Sequence, residues 1–316
     1  MQFHPPWSIL VAYCLIHRDL NILPESKDVD NFMNFIDLHV HSTCSDGTYT
    51  PTQLVEYAAQ KGLSAFALTD HDCISGIPEA LKAADTLGIE LVPGIEFSTV
   101  RNGQDIHILG LDIQYRDPVF LKELYRQQQE RKDRNRKMID KMAADGISIS
   151  WQQMKDRFGD MLWTRAHFAR YLAEQGYVKH MWDAFDSYLG DHCKYYVPRE
   201  KTTPHQIVEL IRETGGIPVL AHPFQYHLPE EELIQLIRSL KEKGLLGIEA
   251  IYSTHTGTQE RELRKLARTF GLAVSGGSDF HGANKPAIDL GRGKGNLKIS
   301  KEVLEQLRAL KTAASN

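Results

Sequence analysis

The stretch from Asp37 to Gly47, DLHVHSTCSDG, leads from a short apolar strand into a polar loop. Side chains two positions apart lie on one face of a β-strand, so His39 and His41 can hold one metal ion between them. Asp46 follows in the loop and can add a carboxylate oxygen. The stretch therefore predicts a metal site at the carboxyl end of the first strand.

Further side chains of the metal-ligating types lie at the ends of other predicted strands. They are His71 in ALTDHD, Glu96 in VPGIEFS, His107 in DIHILG, His222 in VLAHP, and Asp279 with His281 in SGGSDFH. Burying so many polar groups would be costly without a cation, so we predict that they converge on a metal cluster. Mixed imidazole and carboxylate donors suit Mn²⁺, Fe²⁺ or Zn²⁺ better than Ca²⁺.

Short apolar runs alternate with amphipathic helices from Met33 onward. The predicted strands are Phe35–His41, Ser64–Thr69, Ile89–Glu96, Asp105–Asp112, Ile217–Ala221, Leu246–Ile251 and Leu272–Gly276. The predicted helices between them include one that starts at Thr50-Pro51, and Pro78–Leu87, Pro204–Thr214, Pro229–Lys243 and Thr258–Phe270. This alternation predicts an α/β fold with a parallel sheet closed into a (β/α) barrel. A doubly wound open sheet is the alternative, but no glycine-rich nucleotide-binding loop follows a strand.

The alternation stops between Asp112 and Ile217, where the pattern is helical only. We expect residues 114–199 to form a helical insertion between the fourth and fifth strands, able to act as a lid. The barrel would then comprise residues 33–113 and 200–316. Trp7–Ile16 is an apolar run of about half a membrane span. We therefore expect residues 1–32 to be an appendage outside the folded core.

Composition and charge limit the partners of the chain. Its 316 residues are 42% hydrophobic and 25% charged, and the net charge of −4 provides no general basic field for long nucleic acid. Four widely spaced cysteines without a CxxC pair favour reduced thiols and a cytoplasmic location. We expect no membrane association and no obligate protein partner.

The motifs HVHSTCSDG, TDHD with GIE, AHP and GSDFH resemble those of the PHP (polymerase and histidinol phosphatase) superfamily. The resemblance implies a distorted (β/α)7 barrel with two or three divalent metals, Mn²⁺ above all. One metal would take His39, His41, Glu96 and Asp279; a second would share Glu96 and take His107 and His222; a third would take Asp46, His71 and His281. An amidohydrolase is the alternative for His39, His41 and Asp279, but that class usually adds a lysine at a central strand end, which is missing here.

The same resemblance implies a metal-dependent phosphoesterase acting on small nucleotides through a metal-activated hydroxide. The helical insertion is similar to that of the 3′,5′-nucleoside bisphosphate phosphatases, some of which also trim short RNA from its 5′ end. A small phosphorylated nucleotide or a short RNA 5′ end is therefore the expected substrate. A phosphatase for histidinol phosphate or another small metabolite is the alternative within the class. A noncatalytic metal-binding module is the alternative outside it.

Residues outside the metal set are expected to bind the substrate or support the site. Arg165 and His167 open a helix of the insertion where the family places such residues over the metals, and Lys194 and Arg199 lie where the insertion returns to the barrel. His255 follows the sixth strand and can bind phosphate or protonate the leaving group. The predicted catalytic residues are Asp46 and His255, while Asp70 and Asp72 are expected to orient imidazoles.

Two further features of the insertion have alternative interpretations. Lys122–Lys137 contains seven basic and three acidic residues, which favours an exposed helix with i, i+4 pairs over an RNA-binding strip. Tyr195 and Tyr196 can stack on a base, or can pack as hydrophobic contacts of the lid.

Overall fold

The computed structural model describes residues 34–190, 193–198 and 202–314, so the predicted appendage 1–32 and Arg199 lie outside the described residues. Seven strands form one sheet whose spatial order follows the chain. They are β1 (Phe35–Val40), β2 (Leu63–Leu68), β3 (Glu90–Arg101), β4 (Gln104–Leu111), β5 (Ile217–Leu220), β6 (Gly247–Tyr252) and β7 (Ala273–Gly277). The seven predicted strands are confirmed, with shifted ends.

The helices also follow the predicted order. They are α1 (Pro51–Gln60), α2 (Ile77–Leu87), α3 (Pro118–Ala144), α4 (Trp151–Phe158), α5 (Arg165–Glu174), α6 (Met181–Ala184), α7 (Pro204–Glu213), α8 (Glu230–Glu242), α9 (Gly257–Phe270) and α10 (Glu302–Ala313). At α1 the Thr50 hydroxyl accepts a hydrogen bond from the Gln53 amide, and the Gln53 side chain accepts one from the Thr50 amide. This reciprocal cap begins the helix where the sequence predicts it. Helix α10 is an addition to the predicted elements.

The prediction of a wholly parallel sheet is wrong at β4. Strand β3 continues past Glu96 to Arg101 and turns back into β4, which runs antiparallel to both β3 and β5. Asn102 and Gly103 form the turn with φ of 53° and 81°. Two positive φ values are typical of the tight turn that matches the twist of a β-hairpin. His107 therefore reaches the site from the first half of β4, and Glu96 lies in the middle of β3.

The sheet is nearly closed where β7 meets β1. The Asp279 amide donates to the His39 carbonyl at 2.8 Å, and the His41 amide donates to the Phe280 carbonyl at 3.0 Å. A Cβ atom on Gly277 would lie 2.3 Å from the Cβ of His39, so only glycine permits this approach. The closure brings the ends of β1 and β7, with their predicted ligands, to the same edge of the barrel.

The second half of α3 and the helices α4 to α6 share a hydrophobic core that is separate from the barrel clusters. It includes buried Met138, Trp163, Phe168, Leu172 and Tyr195. The strands contribute to separate clusters, one of which joins β1, β2, β4 and β5 with α10. Phe120 and Leu124 at the start of α3 pack in a barrel cluster instead, so this helix joins the insertion to the barrel. In the described ranges, none of the helices has both the length and the apolar character required to cross a bilayer.

Candidate metal centre

Strand β1 positions the first two histidines. Ile36, Leu38 and Val40 are fully buried in the hydrophobic clusters, which fixes the strand in the sheet. His39 and His41 are also fully buried, and their ring centroids are 5.1 Å apart. The i, i+2 spacing therefore places both imidazoles in one polar chamber, as predicted.

Glu96 lies at the centre of this chamber. Its carboxylate is buried, and its two oxygens contact histidines from four different strands or strand ends. The oxygens lie 2.8–3.3 Å from ring nitrogens of His39, His41, His71, His107 and His222. No other carboxylate of the described residues has as many imidazole contacts among the ion pairs, so Glu96 links the two halves of the cluster.

Asp279 and Asp46 extend the cluster on either side of His41. Asp279 Oδ1 is 3.4 Å from His41 Nε2 and 3.7 Å from His39 Nε2. Asp46 Oδ1 is 3.3 Å from His281 Nε2, and Asp46 Oδ2 is 3.8 Å from His71 Nε2. All nine residues that the sequence predicts as ligands are therefore brought together.

The cluster has the donor chemistry of a metal centre. Buried nitrogen and oxygen atoms of the chamber have no hydrogen-bond partner within the described ranges, namely His39 Nε2, His41 Nε2, His71 Nδ1, His222 Nδ1 and Asp46 Oδ1. Leaving such atoms unpaired is costly, and a cation shared between them removes the cost. Four groups have ligand atoms within 4.8 Å of one another: His41, Asp46, His71 and His281; His39, His41 and Asp279; His39, Glu96 and His222; His71, Glu96 and His107. The residues fit two or three divalent ions.

Electrostatic coupling in the cluster shifts the pKa values of both its carboxylates and its imidazoles. Burial alone would raise the pKa of Glu96, but the charges of His71, His107 and His39 hold that pKa well below its usual range. Burial alone would lower the pKa of His41, but the neighbouring carboxylates of Asp279 and Glu96 raise it to about 9. The pKa of His39 is also raised, by Glu249, Glu96 and Asp279 against the effect of burial. Without metal, the site therefore retains protons that a cation would displace.

Buried carboxylates outside the cluster lie behind two of its imidazoles. Glu249, in the middle of β6, lies 2.9 Å from His39 Nδ1 and accepts a hydrogen bond from the His222 amide at 2.8 Å. Asp70 accepts a hydrogen bond from the Ser45 hydroxyl at 2.5 Å, and that hydroxyl is 3.5 Å from His41 Nδ1. Asp70 is linked to His41 through Ser45, and its role in orienting that imidazole stays a prediction; Glu249 was not predicted.

Replacing Glu249 by glutamine is expected to weaken metal binding by about 10- to 100-fold, the usual cost of losing a carboxylate behind a ligating histidine. The neutral amide no longer favours the tautomer of His39 that points Nε2 at Glu96. Metal affinity measured by competition with a fluorescent chelator checks this result. Glu242→Gln, at the exposed end of α8, is the matched control. Equal affinities in both variants would contradict the role of Glu249.

Asp72, which the sequence predicts to orient an imidazole, also contacts the insertion. Its carboxylate is buried and accepts hydrogen bonds from the Arg131 guanidinium and, at 3.0 Å, from the Ser98 amide. The contacts place Asp72 against an arginine of α3. Arg131 and Arg134 are both buried, so the prediction of an exposed helix over Lys122–Lys137 is wrong for these two side chains. They lie on the face of α3 that meets the barrel.

A cavity of about 340 Å³ opens beside the cluster. This volume is in the range of small-molecule sites, roughly 300–1,000 Å³. Its lining combines members of the cluster, four cationic side chains and several aromatic ones. They include Asp46, His71, His107 and His281; Arg131, Arg134, Arg165 and Lys285; and Trp182, Phe185 and Tyr196. The cavity therefore suits an anionic ligand with an apolar or aromatic part.

The insertion contacts the cluster directly through the start of α5. The Thr164 hydroxyl, which caps this helix, donates to Asp46 Oδ2 at 2.9 Å. Arg165 lines the cavity, where it forms an ion pair with Asp105 at 2.5 Å and lies over the ring of Tyr196. Lys285, which sequence reasoning missed, lies 2.5 Å from Asp279 and also lines the cavity.

Three predicted substrate residues lie outside the cavity lining. His167 Nδ1 accepts a hydrogen bond from the Thr164 amide, and its ring packs against Phe158, so His167 helps to cap the start of α5. Lys194 is 69% exposed and pairs with Asp145. His255 is buried, and its Nδ1 lies 3.0 Å from the Ala250 carbonyl. His167 and Lys194 thus contact residues of the insertion in this structure, and their role in substrate binding stays a prediction.

Comparisons with known proteins agree with this geometry. The PHP domain family matches residues 37–201. The chain is 39% identical to the 5′-3′ exoribonuclease of Haemophilus influenzae over 78% of this chain and 89% of that protein. It is 33% identical to the 3′,5′-nucleoside bisphosphate phosphatase of Chromobacterium violaceum over 87% and 96%. A proposed metal-dependent phosphoesterase of Bifidobacterium adolescentis superposes with a TM-score of 0.77 at 27% identity, over 87% of this chain and 96% of that one.

Proposed function

Because the chain belongs to the PHP domain family and is a metal-dependent phosphoesterase, we propose that its substrate is a small phosphorylated nucleotide. The reaction is hydrolysis of the 3′-phosphate of a nucleoside 3′,5′-bisphosphate. The observation that carries the proposal is the cavity, which joins the nine-residue cluster to cationic and aromatic side chains. A short RNA with a 5′-phosphate is a second candidate, since one relative at 39% identity is an exoribonuclease.

We assign the nine clustered residues to two or three divalent ions, and Mn²⁺ fits the mixture of imidazoles and carboxylates best. One ion would be held by His39, His41, Glu96 and Asp279, a second by Glu96, His107 and His222, and a third by Asp46, His71 and His281. Such ions supply a water of lowered pKa and neutralise charge on the phosphoryl oxygens. The unpartnered ring nitrogens of the cluster support this assignment.

The chain itself positions the phosphate against the cluster. Lys285 and Arg165 provide positive charge at the cavity wall, where hydrogen bonds to phosphoryl oxygens are strong because both partners are charged. Thr164 fixes Asp46 and joins the insertion to the barrel, so the insertion covers one side of the bound phosphate. Holding the ester in one orientation supplies a large part of the acceleration in phosphoryl transfer.

Aromatic side chains at the cavity support a nucleoside as the remainder of the substrate. Trp182 lines the cavity although the residue is 63% exposed, and Tyr196 lies beside Arg165 in the same lining. A nucleobase stacked on such a ring contributes about 1–3 kcal/mol. Tyr195 instead donates a hydrogen bond to Asp145 and stacks on Tyr188, so it belongs to the packing of the insertion.

His255 does not serve as the proton donor in this proposal. Burial lowers the pKa of His255, so its imidazole is neutral at pH 7 and carries no acidic proton to give to a leaving group. Its Nδ1–H donates a hydrogen bond to the Ala250 carbonyl.

The described cysteines, Cys44, Cys73 and Cys193, are free thiols, which supports a reducing compartment such as the cytoplasm.

The experiment compares phosphate release from a panel of substrates by one Mn²⁺-loaded sample. The panel contains adenosine 3′,5′-bisphosphate, a short 5′-phosphorylated RNA, histidinol phosphate and an aryl phosphate. We expect the largest kcat/KM for the bisphosphate or the RNA, because both fill the metal and aromatic regions of the cavity. Preference for histidinol phosphate would replace the nucleotide proposal by an amino-acid one. Silence across the panel with metal bound would indicate the noncatalytic module.

A further inference from the structure

A second cavity, of about 220 Å³, lies at the end of the barrel opposite to the metal cluster. Phe35 and Leu63, which begin β1 and β2, contribute to its lining. His41 follows Phe35 by six residues, so at about 3.3 Å per residue the two lie about 20 Å apart along the strand. We call this cavity the distal pocket; its lining includes Phe35, Lys61, Leu63, Arg292, Leu297 and Lys298.

The distal pocket has three cationic side chains and, within the described ranges, no acidic residue in its lining. Lys61 pairs with Asp289 at 2.6 Å. The side chains of Arg292 and Lys298 are exposed and form no ion pair or hydrogen bond with another residue that the structure describes. Two positive charges at the wall of one small cavity are therefore open to an anion.

The loop that carries these two open charges is held in place by the barrel. The Gly291 amide donates a hydrogen bond to the buried Asp37 carboxylate at 2.8 Å. On the other side of the loop, the Ile36 amide donates to the Ile299 carbonyl at 2.9 Å. A pocket that is formed before the ligand arrives avoids part of the ordering cost of binding.

Phe35 adds an aromatic surface to the distal pocket. It is 36% exposed, although the next residue of β1 is fully buried, and the buried leucines Leu63, Leu290 and Leu297 line the same cavity. A guanidinium and an ammonium group bind phosphate oxygens, and an aromatic ring stacks on a nucleobase. The carboxylates of an acidic peptide would use the two charges but would leave the ring without a planar partner. The lining therefore favours a nucleotide.

We propose that the distal pocket binds a nucleotide outside the active site, with its phosphate at Arg292 and Lys298 and its base on Phe35. The ligand is a phosphate carried by a nucleoside, either free or within a single strand of RNA. The pocket takes no part in hydrolysis, so the inference goes beyond the proposed function. It provides a local contact for nucleotides on a chain whose net charge of −4 offers no general attraction.

The test is photolabelling of the full chain with 8-azidoadenosine 5′-monophosphate, followed by mass spectrometry of its peptides. Chelator is present so that no probe is hydrolysed. We expect label on the peptides that contain Phe35 or residues 292–298. Arg292→Met combined with Lys298→Met is expected to reduce this label about 10-fold or more, because the charge-assisted hydrogen bonds to the phosphate are lost. Absence of label from these peptides in the wild type, or equal label in wild type and variant, would overturn the proposal.

The matched control is Lys265→Met combined with Arg268→Met, which removes one lysine and one arginine from exposed positions of α9. It should be labelled at the distal pocket as the wild type is. An equal loss of label in both double variants would indicate a general effect of charge and would also overturn the proposal.

Competitors identify the chemistry of the ligand. Protection of the distal peptides by unlabelled adenosine 5′-monophosphate would support a free nucleotide, and protection only by a single-stranded RNA octamer would support a nucleotide within a strand. If oligoglutamate protects as well as either of them, the pocket is a site for acidic peptides and the nucleotide assignment falls.

Activity separates the distal pocket from the metal centre. The double variant of Arg292 and Lys298 should retain the wild-type kcat/KM for adenosine 3′,5′-bisphosphate, since both side chains lie at the far end of the barrel. A fall in kcat/KM as large as the fall in label would place these charges at the active site and contradict the proposal. The labelling itself does not require phosphate release, so its result is independent of the proposed function.

Discussion

Glu96→Gln is expected to remove phosphate release and to reduce the bound metal at the same time. The carboxylate of Glu96 contacts five imidazoles and lies in two of the four candidate ligand groups. Losing a partner outside the ligand shell usually weakens metal affinity or activity by about 10- to 100-fold. Losing the Glu96 carboxylate itself should have a larger effect, so we expect kcat to fall by about 1,000-fold or more. Elemental analysis and a phosphate assay on one sample check both effects.

The control for this prediction is Glu56→Gln, which makes the same chemical change at an exposed position of α1. It should match the wild type in metal content and in phosphate release. Circular dichroism of Glu96→Gln would show whether the barrel is still folded. A folded Glu96→Gln protein with full metal content and wild-type turnover would contradict the assignment of Glu96 to the centre.

The second large effect concerns the dependence of stability on pH. In the metal-free protein the folded pKa of His41 is about 9, above its ordinary value of 6.5. A raised histidine pKa gives stability that is complete below about pH 6.5 and is lost as pH rises through the folded value. We expect the metal-free protein to lose about 2–3 kcal/mol of unfolding free energy between pH 7.5 and 9.5. His39 acts in the same direction.

Metal reverses this trend because it binds deprotonated imidazoles. His71 and His281 have lowered pKa values, chiefly through burial, so they have already lost their protons at pH 7.5 and do not oppose the effect. The rise in Tm caused by Mn²⁺ should therefore be larger at pH 9 than at pH 7.5. Thermal melts with and without chelator at these two values provide the measurement. If the Tm of the metal-free protein stays constant or increases from pH 7.5 to pH 9, the cluster does not hold the protons that this prediction assigns to it.

The metal cluster could be predicted from sequence because each motif is local. His39 lies in β1, His41 follows its last residue directly, and Asp279 lies two residues after the end of β7, so the neighbouring parallel strands bring them to one edge. Identifying these residues requires no knowledge of distant contacts, only of strand direction and of the family motifs. This is why all nine predicted residues meet in the structure.

The direction of β4 was open to prediction and was missed. Asn102-Gly103 between two alternating apolar runs is a strong hairpin signal, and the two residues form that turn. The apolar runs and helices alone predict a parallel β4 instead. The error did not displace His107, since an antiparallel strand that begins at the site brings its first residues to the same edge.

Other residues carried weak signals or none. Glu249 is a single carboxylate in the buried strand GIEAIY, which is a detectable oddity, although its partner His39 is far away in sequence. Arg134 belongs to a charged stretch that resembles any solvated helix, and only the packing of α3 on the barrel buries it. Such roles depend on how the insertion meets the barrel, and a local pattern does not contain that information.

The measurement that tests the metal-dependent phosphoesterase most directly is a stepwise reloading experiment. The full chain is stripped with a chelator, and phosphate release from adenosine 3′,5′-bisphosphate is followed as Mn²⁺ is added and counted in the same sample. We predict no release from the stripped protein and full activity once two or three ions are bound per chain. Undiminished release by the stripped protein, or none by a fully loaded one, would contradict the account.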